Sequence, residues 1–258
     1  MIAQPNPLSV AWSIARARRV KQPSPCGTSG IDSPELAEVL DRLRSRGVRS
    51  LVADGDALIG YRNRLEAVDP DALSRSGALA FWINLYNAGA LSRAGEAFEQ
   101  SVETVLRIPG AFDRPWASIA GERLSLNDIE HGKIRRFRDP RIHAALVCGS
   151  ASCPTLRHEP FGEGLDAELE AQMRSFLANG GASFDPGAGT LRLSRVFLWY
   201  GGDFTRPRRM PTWLPARRHD IARSVARWLE PTQAEWVLTA SPRVEFALYD
   251  WGLACSIA

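Results

Sequence analysis

The feature that most constrains the fold is an apolar stretch at residues 77–94, which reads GALAFWINLYNAGALSRA. Its hydrophobic residues recur at helical spacing and leave hardly any polar face, so they predict a buried helix within residues 70–94. Asn84 and Asn87 are exceptions that lie one turn apart on the same side of this helix. Because a buried amide without a hydrogen bond costs about 1–3 kcal/mol, we expect polar groups to face both side chains.

Helical spacing elsewhere predicts four further helices. One begins at Pro34, and the other three cover residues 57–68, 165–177 and 221–229. One more helix is predicted to carry Asp128, Glu130 and His131, with Ser125 or Asn127 as its cap. Apolar or alternating runs predict strands over residues 142–147, 190–198 and 244–251.

Strands scattered among helices favour an α+β fold, in which the helices pack on a small, mostly antiparallel sheet. Residues 1–32 contain several prolines and glycines and few structure signals, so we expect a poorly structured, loosely attached arm. We expect residues 33–258 to form a single domain, because no repeat or linker interrupts them.

Composition sets limits on partners. The formal net charge of +3 over 258 residues gives no reason to expect a nucleic acid. No stretch approaches the ~20 apolar residues of a membrane span, and no signal peptide is recognisable. We therefore expect a cytoplasmic protein with reduced thiols, no cofactor, no membrane partner and a small molecule or peptide as ligand. Motifs for phosphate loops, dinucleotides and zinc proteases are absent from the sequence.

Five blocks resemble the domain of unknown function 547 family in the family's order. They are FWINLYNA at 81–88, LSLNDIEHG at 124–132, RIHAALVCGSASCPTL at 141–156, LSRVFLWY at 193–200 and YDW at 249–251. The resemblance implies no particular activity. It suggests a papain-like or transglutaminase-like α+β arrangement, and such an analogy of fold does not by itself give function.

The block at 141–156 contains the residues best suited to catalysis. Cys153 is our preferred nucleophile, because it follows a turn of small residues and precedes a predicted helix start, whose positive end lowers a thiol pKa. His143 and His131 are the candidate bases. Alternation along the predicted strand places His143 and Cys148 on opposite faces.

Several other side chains are candidates for supporting roles in the same site. The candidates to orient the base are Glu130, Asp128 and Asp250. The candidates to stabilise an oxyanion are Asn84 and Asn87. The predicted binding residues are Asn87, Cys148, Ser150, Asp250 and Trp251. Together these residues suggest a thiol-dependent hydrolase, or an acyl or peptidyl transferase, acting on an amide or thioester.

Other interpretations of the same residues remain open. The chain is alternatively a non-catalytic binding module for a small thiol compound, a peptide or a protein partner. The cysteines, histidines and amides are alternatively packing and hydrogen-bond anchors, since buried cysteines are usually inert. A Cys148–Cys153 disulfide and a metal site with His143 and His158 are further alternatives. No second pair of cysteines is spaced as structural zinc sites require, so we expect no metal.

Overall fold

The computed structural model describes residues 12, 14, 15 and 19–257. The longer helices are α1 (Pro34–Arg46), α3 (Gly55–Glu66), α4 (Arg75–Glu99), α6 (Leu165–Phe176), α9 (Arg218–Val225) and α10 (Pro231–Ala240). Four short helices are α2 (Ser50–Ala53), α5 (Ile142–Ala145), α7 (Arg195–Trp199) and α8 (Gly201–Thr205). The strands are β1 (Pro115–Ile119), β2 (Glu122–Ser125), β3 (Ala182–Asp185), β4 (Thr190–Leu193) and β5 (Arg243–Phe246).

Helix α4 is the centre of the larger hydrophobic cluster. It runs for 25 residues and begins at Ser74, whose hydroxyl caps it by accepting a hydrogen bond from the N–H of Gly77. Its residues from Gly77 to Leu91 are all buried, as the apolar pattern predicted. Gly89 allows β1 to pack closely, since a Cβ there would lie 2.8 Å from the indole nitrogen of Trp116.

A π-helix (Asp128–Lys133) follows β2 and carries Glu130 and His131. Its start is fixed by Ser125, whose hydroxyl accepts from the N–H of Asp128 at 3.1 Å and donates to the Asp128 carboxylate at 2.6 Å. Of the two predicted capping residues, Ser125 and Asn127, it is therefore Ser125 that caps this helix. The Asp128 carboxylate accepts two hydrogen bonds in this cap, from the N–H and the hydroxyl of Ser125.

The strand predicted over residues 142–147 is wrong. Ile142–Ala145 form helix α5, and the chain is irregular from Leu146 onward. Asp139 turns the chain at this point by accepting a hydrogen bond from the N–H of Arg141 at 2.9 Å. A short apolar run cannot distinguish a buried strand from a buried helix, because both bury every side chain.

Two small sheets replace the single sheet that was predicted. Strands β1 and β2 form an antiparallel pair, while β4 pairs antiparallel with β3 and parallel with β5. The predicted strand over 190–198 ends at Leu193, where Ser194 caps helix α7, and the one over 244–251 ends at Phe246. The α+β class is confirmed.

A second hydrophobic cluster lies around β4, β5, α6 and α9, and includes Phe197, Phe204 and Trp228. No helix within the described residues is long and apolar enough to cross a membrane.

The predicted arm lies partly outside the described residues, which omit 1–11, 13 and 16–18. Residues 19–32 contain neither helix nor strand. Their backbone is nevertheless bound to the rest of the chain, because Cys26 donates to the carbonyl of Asp71 and Gly27 to that of Leu73, both at 2.9 Å. The division at residue 32 stays a prediction.

Candidate functional site

The thiols of Cys148 and Cys153 meet in a tight loop. Their sulfur atoms lie 3.0 Å apart, and the backbone N–H of Cys148 donates to the sulfur of Cys153 at 3.0 Å. Gly149 makes the turn, with a φ of 77° that favours glycine. A Cβ at this position would also lie 2.8 Å from the side chain of Val105. Both cysteines are partly exposed and free.

The C-terminal segment 249–257 covers this loop and supplies a tyrosine. Ala151 donates to the carbonyl of Gly252 at 2.8 Å, and Ala254 donates to that of Gly149 at 3.1 Å. The hydroxyl of Tyr249 thereby lies 3.4 Å from the sulfur of Cys153. Ser150 in turn donates to Tyr249 at 2.9 Å, and its own oxygen lies 3.3 Å from the same sulfur.

These contacts acidify Cys153. Burial by itself would raise its pKa, but hydrogen bonds from Cys148, Ser150 and Tyr249 outweigh burial and lower the pKa to about 6. The cause differs from the predicted one. Residues 151–153 form a turn and no helix begins at Cys153 or Pro154, so no helix dipole acts on the thiol.

The two neighbouring thiols are shifted in the opposite direction. The hydrogen bond from Cys148 to Cys153, together with burial, raises the pKa of Cys148 well above its ordinary value. Burial and the nearby Cys153 raise the pKa of Cys255 to about 12. Cys153 is therefore the one thiol of these three that is ionised near neutral pH.

Both candidate bases belong to a separate, buried network of charges. The ring of His143 donates from Nε2 to the carboxylate of Asp203 at 2.9 Å. Arg135 binds the same carboxylate through two hydrogen bonds of 2.8 and 3.0 Å, and neither side chain of this ion pair is exposed. Arg135 holds the pKa of Asp203 well below its usual range despite burial. Tyr200 stacks on His143 with ring centroids 4.0 Å apart.

His131 is held neutral in this network. Arg135, which has no acceptor atom, donates to Nδ1 of His131 at 3.1 Å, so the ring proton lies on Nε2. Burial, opposed by Glu130 and reinforced by Arg135, lowers the pKa of His131 to about 4. Glu130 does not hydrogen-bond to His131, since the closest atoms are 3.6 Å apart. Its carboxylate instead accepts from Tyr200 at 2.7 Å and Tyr86 at 3.3 Å.

The predicted Cys–His pairing is not formed in this structure. Among the described residues, the hydrogen bonds of His131 and His143 lead to Arg135 and Asp203, and none joins a histidine to Cys148 or Cys153. The thiol pair and the charge network are thus two neighbouring clusters.

The two predicted amides bind backbone instead of a ligand. Asn84 donates to the carbonyl of Phe161 at 2.8 Å and accepts from its N–H at 3.0 Å. Asn87 donates to the carbonyl of Ala145 at 2.9 Å and accepts from the N–H of Val147 at 3.2 Å. The expectation of polar partners is met, and each amide both donates to and accepts from the main chain, which points to an anchoring role.

Asp250 is exposed and accepts from the N–H of Gly252 at 2.8 Å, which shapes the turn that follows Tyr249. Trp251 packs on Tyr249 and Trp199, with ring centroids 4.5 and 5.6 Å away. The half-buried rings of Trp199 and Trp251 both pack on Tyr249, whose hydroxyl lies 3.4 Å from the sulfur of Cys153. Within the described residues, no three His, Cys, Asp or Glu side chains are placed to hold a metal ion.

Comparison with protein families gives a match to the central part of the chain. Residues 70–177 match the model of the family described as protein of unknown function, DUF547. This segment is similar to that family. The resemblance stated from the sequence blocks is thereby confirmed. No match was found among curated proteins or among solved structures, and the papain-like arrangement stays a prediction.

The matched segment contributes both cysteines of the pair, the two candidate histidines, Glu130 and the two amides. Asp203, Tyr200 and Tyr249 come from beyond its end and complete the two clusters. Sequence reasoning missed all three. Tyr249 is the first residue of the YDW block, in which Asp250 and Trp251 were predicted as binding residues. Asp203 lies three positions after the end of the LSRVFLWY block.

Proposed function

We propose that the protein is a thiol-dependent acyl-transfer enzyme, a hydrolase or acyl or peptidyl transferase whose nucleophile is Cys153. The observation that carries this proposal is the setting of the Cys153 sulfur, which is partly exposed and lies within hydrogen-bonding distance of the N–H of Cys148 and the hydroxyl of Tyr249. A thiol with a pKa of about 6 is mostly thiolate at neutral pH and reacts without a general base.

The surroundings of this thiolate favour a thioester over an amide. An amide needs an acid that protonates the departing amine, and histidine usually does this work. Neither His131 nor His143 hydrogen-bonds to Cys153. A thioester releases a thiolate, which is a stable leaving group without protonation. Thioesters are therefore the substrate class that we propose.

The donors around Cys153 also suit the reaction that follows. Once the sulfur is acylated it no longer carries charge, and the hydroxyl of Tyr249 is then free to donate to the oxygen of a tetrahedral intermediate. The rings of Trp199 and Trp251 offer an apolar surface for the acyl chain.

Turnover of S-phenyl thioacetate is the test, with thiophenol release followed in time and acetyl groups located by peptide mass spectrometry. We expect a burst of thiophenol equal to the enzyme concentration, an acetyl group on Cys153, and a rate that rises with pH to a plateau with a midpoint near 6. Cys153→Ser should abolish the burst. Cys26→Ser, which removes an exposed thiol elsewhere, should leave it unchanged.

Equal acetylation of Cys26 and Cys153, without turnover, would refute the proposal. Saturable binding of the thioester that persists in Cys153→Ala, again without turnover, would instead support the non-catalytic binding module.

A further inference from the structure

The pairing of Cys148 with Cys153 is more than acyl transfer requires. An acyl-transfer nucleophile needs one thiol, and the donor supplied by the side chain of Cys148 could equally be a hydroxyl. The two sulfur atoms lie 3.0 Å apart and share no bond. A disulfide is about 2.05 Å long, so closing the pair needs an approach of only about 1 Å.

The two thiols differ in the way that thiol–disulfide exchange requires. Cys153 is the ionised nucleophile, and its hydrogen bonds from Cys148 and Tyr249 stabilise it as a thiolate. Cys148 keeps its proton, because its pKa lies well above the ordinary value. Exchange needs one thiolate that attacks and a second thiol that is held back until the first has reacted.

The C-terminal segment fixes the main chain of the loop that joins the two thiols. Gly149 accepts a hydrogen bond from Ala254, and Ala151 donates to Gly252, so the C-terminal segment holds the residues between the two cysteines. Cys153 itself donates from its N–H to the carbonyl of Ser150 at 3.0 Å. Closing the pair therefore involves side-chain rotation without rebuilding the loop.

We propose that Cys148 and Cys153 form a dithiol–disulfide couple, and that this loop catalyses thiol–disulfide exchange with a small-molecule or peptide disulfide. The proposal shares the nucleophile of the acyl-transfer proposal, but it adds an essential role for Cys148 and a different class of substrate.

The exchange proceeds in two balanced steps. The thiolate of Cys153 attacks one sulfur of a disulfide RSSR, the substrate S–S bond breaks, and RS⁻ leaves with the electron pair. The thiol of Cys148 then gives its proton to that thiolate and attacks the sulfur of Cys153, so that a second RS⁻ leaves. The substrate is reduced to RSH and RS⁻, and the protein dithiol is oxidised to a Cys148–Cys153 disulfide.

Cys255 is the competing partner that must be tested. It is half-buried, and Cys153 contributes to its raised pKa, so the two thiols are near one another. Among the described residues, however, Cys153 hydrogen-bonds to the sulfur of Cys148 and not to that of Cys255. Cys148 is therefore the expected resolving thiol.

The experiment treats the full chain with glutathione disulfide, quenches with acid, alkylates the remaining thiols and locates the products by peptide mass spectrometry. In the wild type we expect the mass loss of two hydrogens and one linkage, Cys148–Cys153. Cys148→Ser should instead accumulate one glutathione on Cys153. Cys153→Ser should form no disulfide within the loop, because the attacking thiol has been removed.

Two matched variants control for the other thiols. Cys255→Ser and Cys26→Ser should form the same linkage at the wild-type rate. A stable glutathione adduct on Cys153 in the wild type, or a Cys153–Cys255 linkage, would overturn the proposal.

The thioester assay on the wild type separates the two proposals. If Cys153 turns over S-phenyl thioacetate but forms no linkage to Cys148, the exchange activity alone is refuted. If Cys153 reacts with neither probe, the nucleophile is lost and both proposals fail.

Discussion

Cys153 is acidified by a small set of local hydrogen bonds. Burial opposes the thiolate, and neither a histidine nor a helix terminus compensates for it. The N–H of Cys148 and the hydroxyl of Tyr249 stabilise the thiolate instead. A hydrogen bond to a charged group contributes about 1.5–3 kcal/mol, so the loss of one donor should be measurable at the sulfur.

Removal of the Tyr249 hydroxyl tests this account. Tyr249→Phe takes away one donor, so the midpoint of Cys153 alkylation should rise from about 6 by roughly one pH unit, which corresponds to ~1.4 kcal/mol. The measurement is the rate of iodoacetamide labelling at Cys153 against pH, by peptide mass spectrometry.

Tyr61→Phe is the matched control, because Tyr61 is also buried but its hydroxyl bonds to Ser33. This control should leave the midpoint unchanged. A midpoint that stays near 6 in Tyr249→Phe would show that the tyrosine does not stabilise the thiolate.

At the scale of elements, Asn84 and Asn87 attach helix α4 to two irregular segments. Each amide donates one hydrogen bond to the main chain and accepts one from it, in the way that the backbone of a neighbouring β-strand does. The segment 145–147, which leads into the thiol loop, is thereby positioned by Asn87. An anchoring amide thus acts on the site without touching a thiol.

Loss of Asn87 should destabilise the chain strongly. Asn87→Ala leaves the carbonyl of Ala145 and the N–H of Val147 without partners, at about 1–3 kcal/mol each. We expect the free energy of unfolding in urea to fall by about 2–5 kcal/mol. Asn63→Ala, on the exposed face of α3, should change it by less than about 0.5 kcal/mol. Equal losses in both variants would contradict the anchoring role.

Helical periodicity was the most reliable guide from the sequence. The apolar face of α4 and the need for polar partners at its two amides were predicted, because both depend on neighbours along one helix. The strand over 142–147 was wrong, since its five apolar residues carry no periodicity that separates helix from strand.

The candidate site was only partly predictable, because its contacts join distant residues. The pairing of Cys148 with Cys153 is local and was considered from spacing alone. The partners that determine their chemistry are not local. Tyr249 lies 96 positions from Cys153, and Asp203 lies 60 positions from His143. No local pattern specifies which tyrosine or carboxylate reaches a given side chain.

At the scale of the whole molecule, a buried ion pair lies between the two hydrophobic clusters. Arg135 belongs to the segment that follows the π-helix, beside the larger cluster, and Asp203 belongs to α8 in the second. Their side chains are fully buried and bonded through two contacts. Thr212 adds an N–H to Asp203 at 3.1 Å, so the pair is well satisfied. Breaking such a pair is costly, because the remaining charge has no water to solvate it.

The neutral His131 at the edge of this pair should make stability depend on pH. In the folded chain burial lowers its pKa to about 4, whereas an unfolded histidine titrates near 6.5. Between these values the unfolded chain binds more protons, so the free energy of unfolding falls as pH falls from about 6.5 to about 4. The full difference of about 2.5 units corresponds to ~3 kcal/mol.

Urea unfolding between about pH 7 and pH 5 measures this dependence, because an unfolded aspartate such as Asp203 takes up protons mainly below about pH 5. His131→Gln keeps an acceptor for Arg135 but cannot titrate, so its stability should be nearly flat across the same range. His219→Gln, at an exposed position, should retain the wild-type slope. A slope that survives in His131→Gln would assign the pH dependence to another group and show that His131 is not the buried neutral histidine of this network.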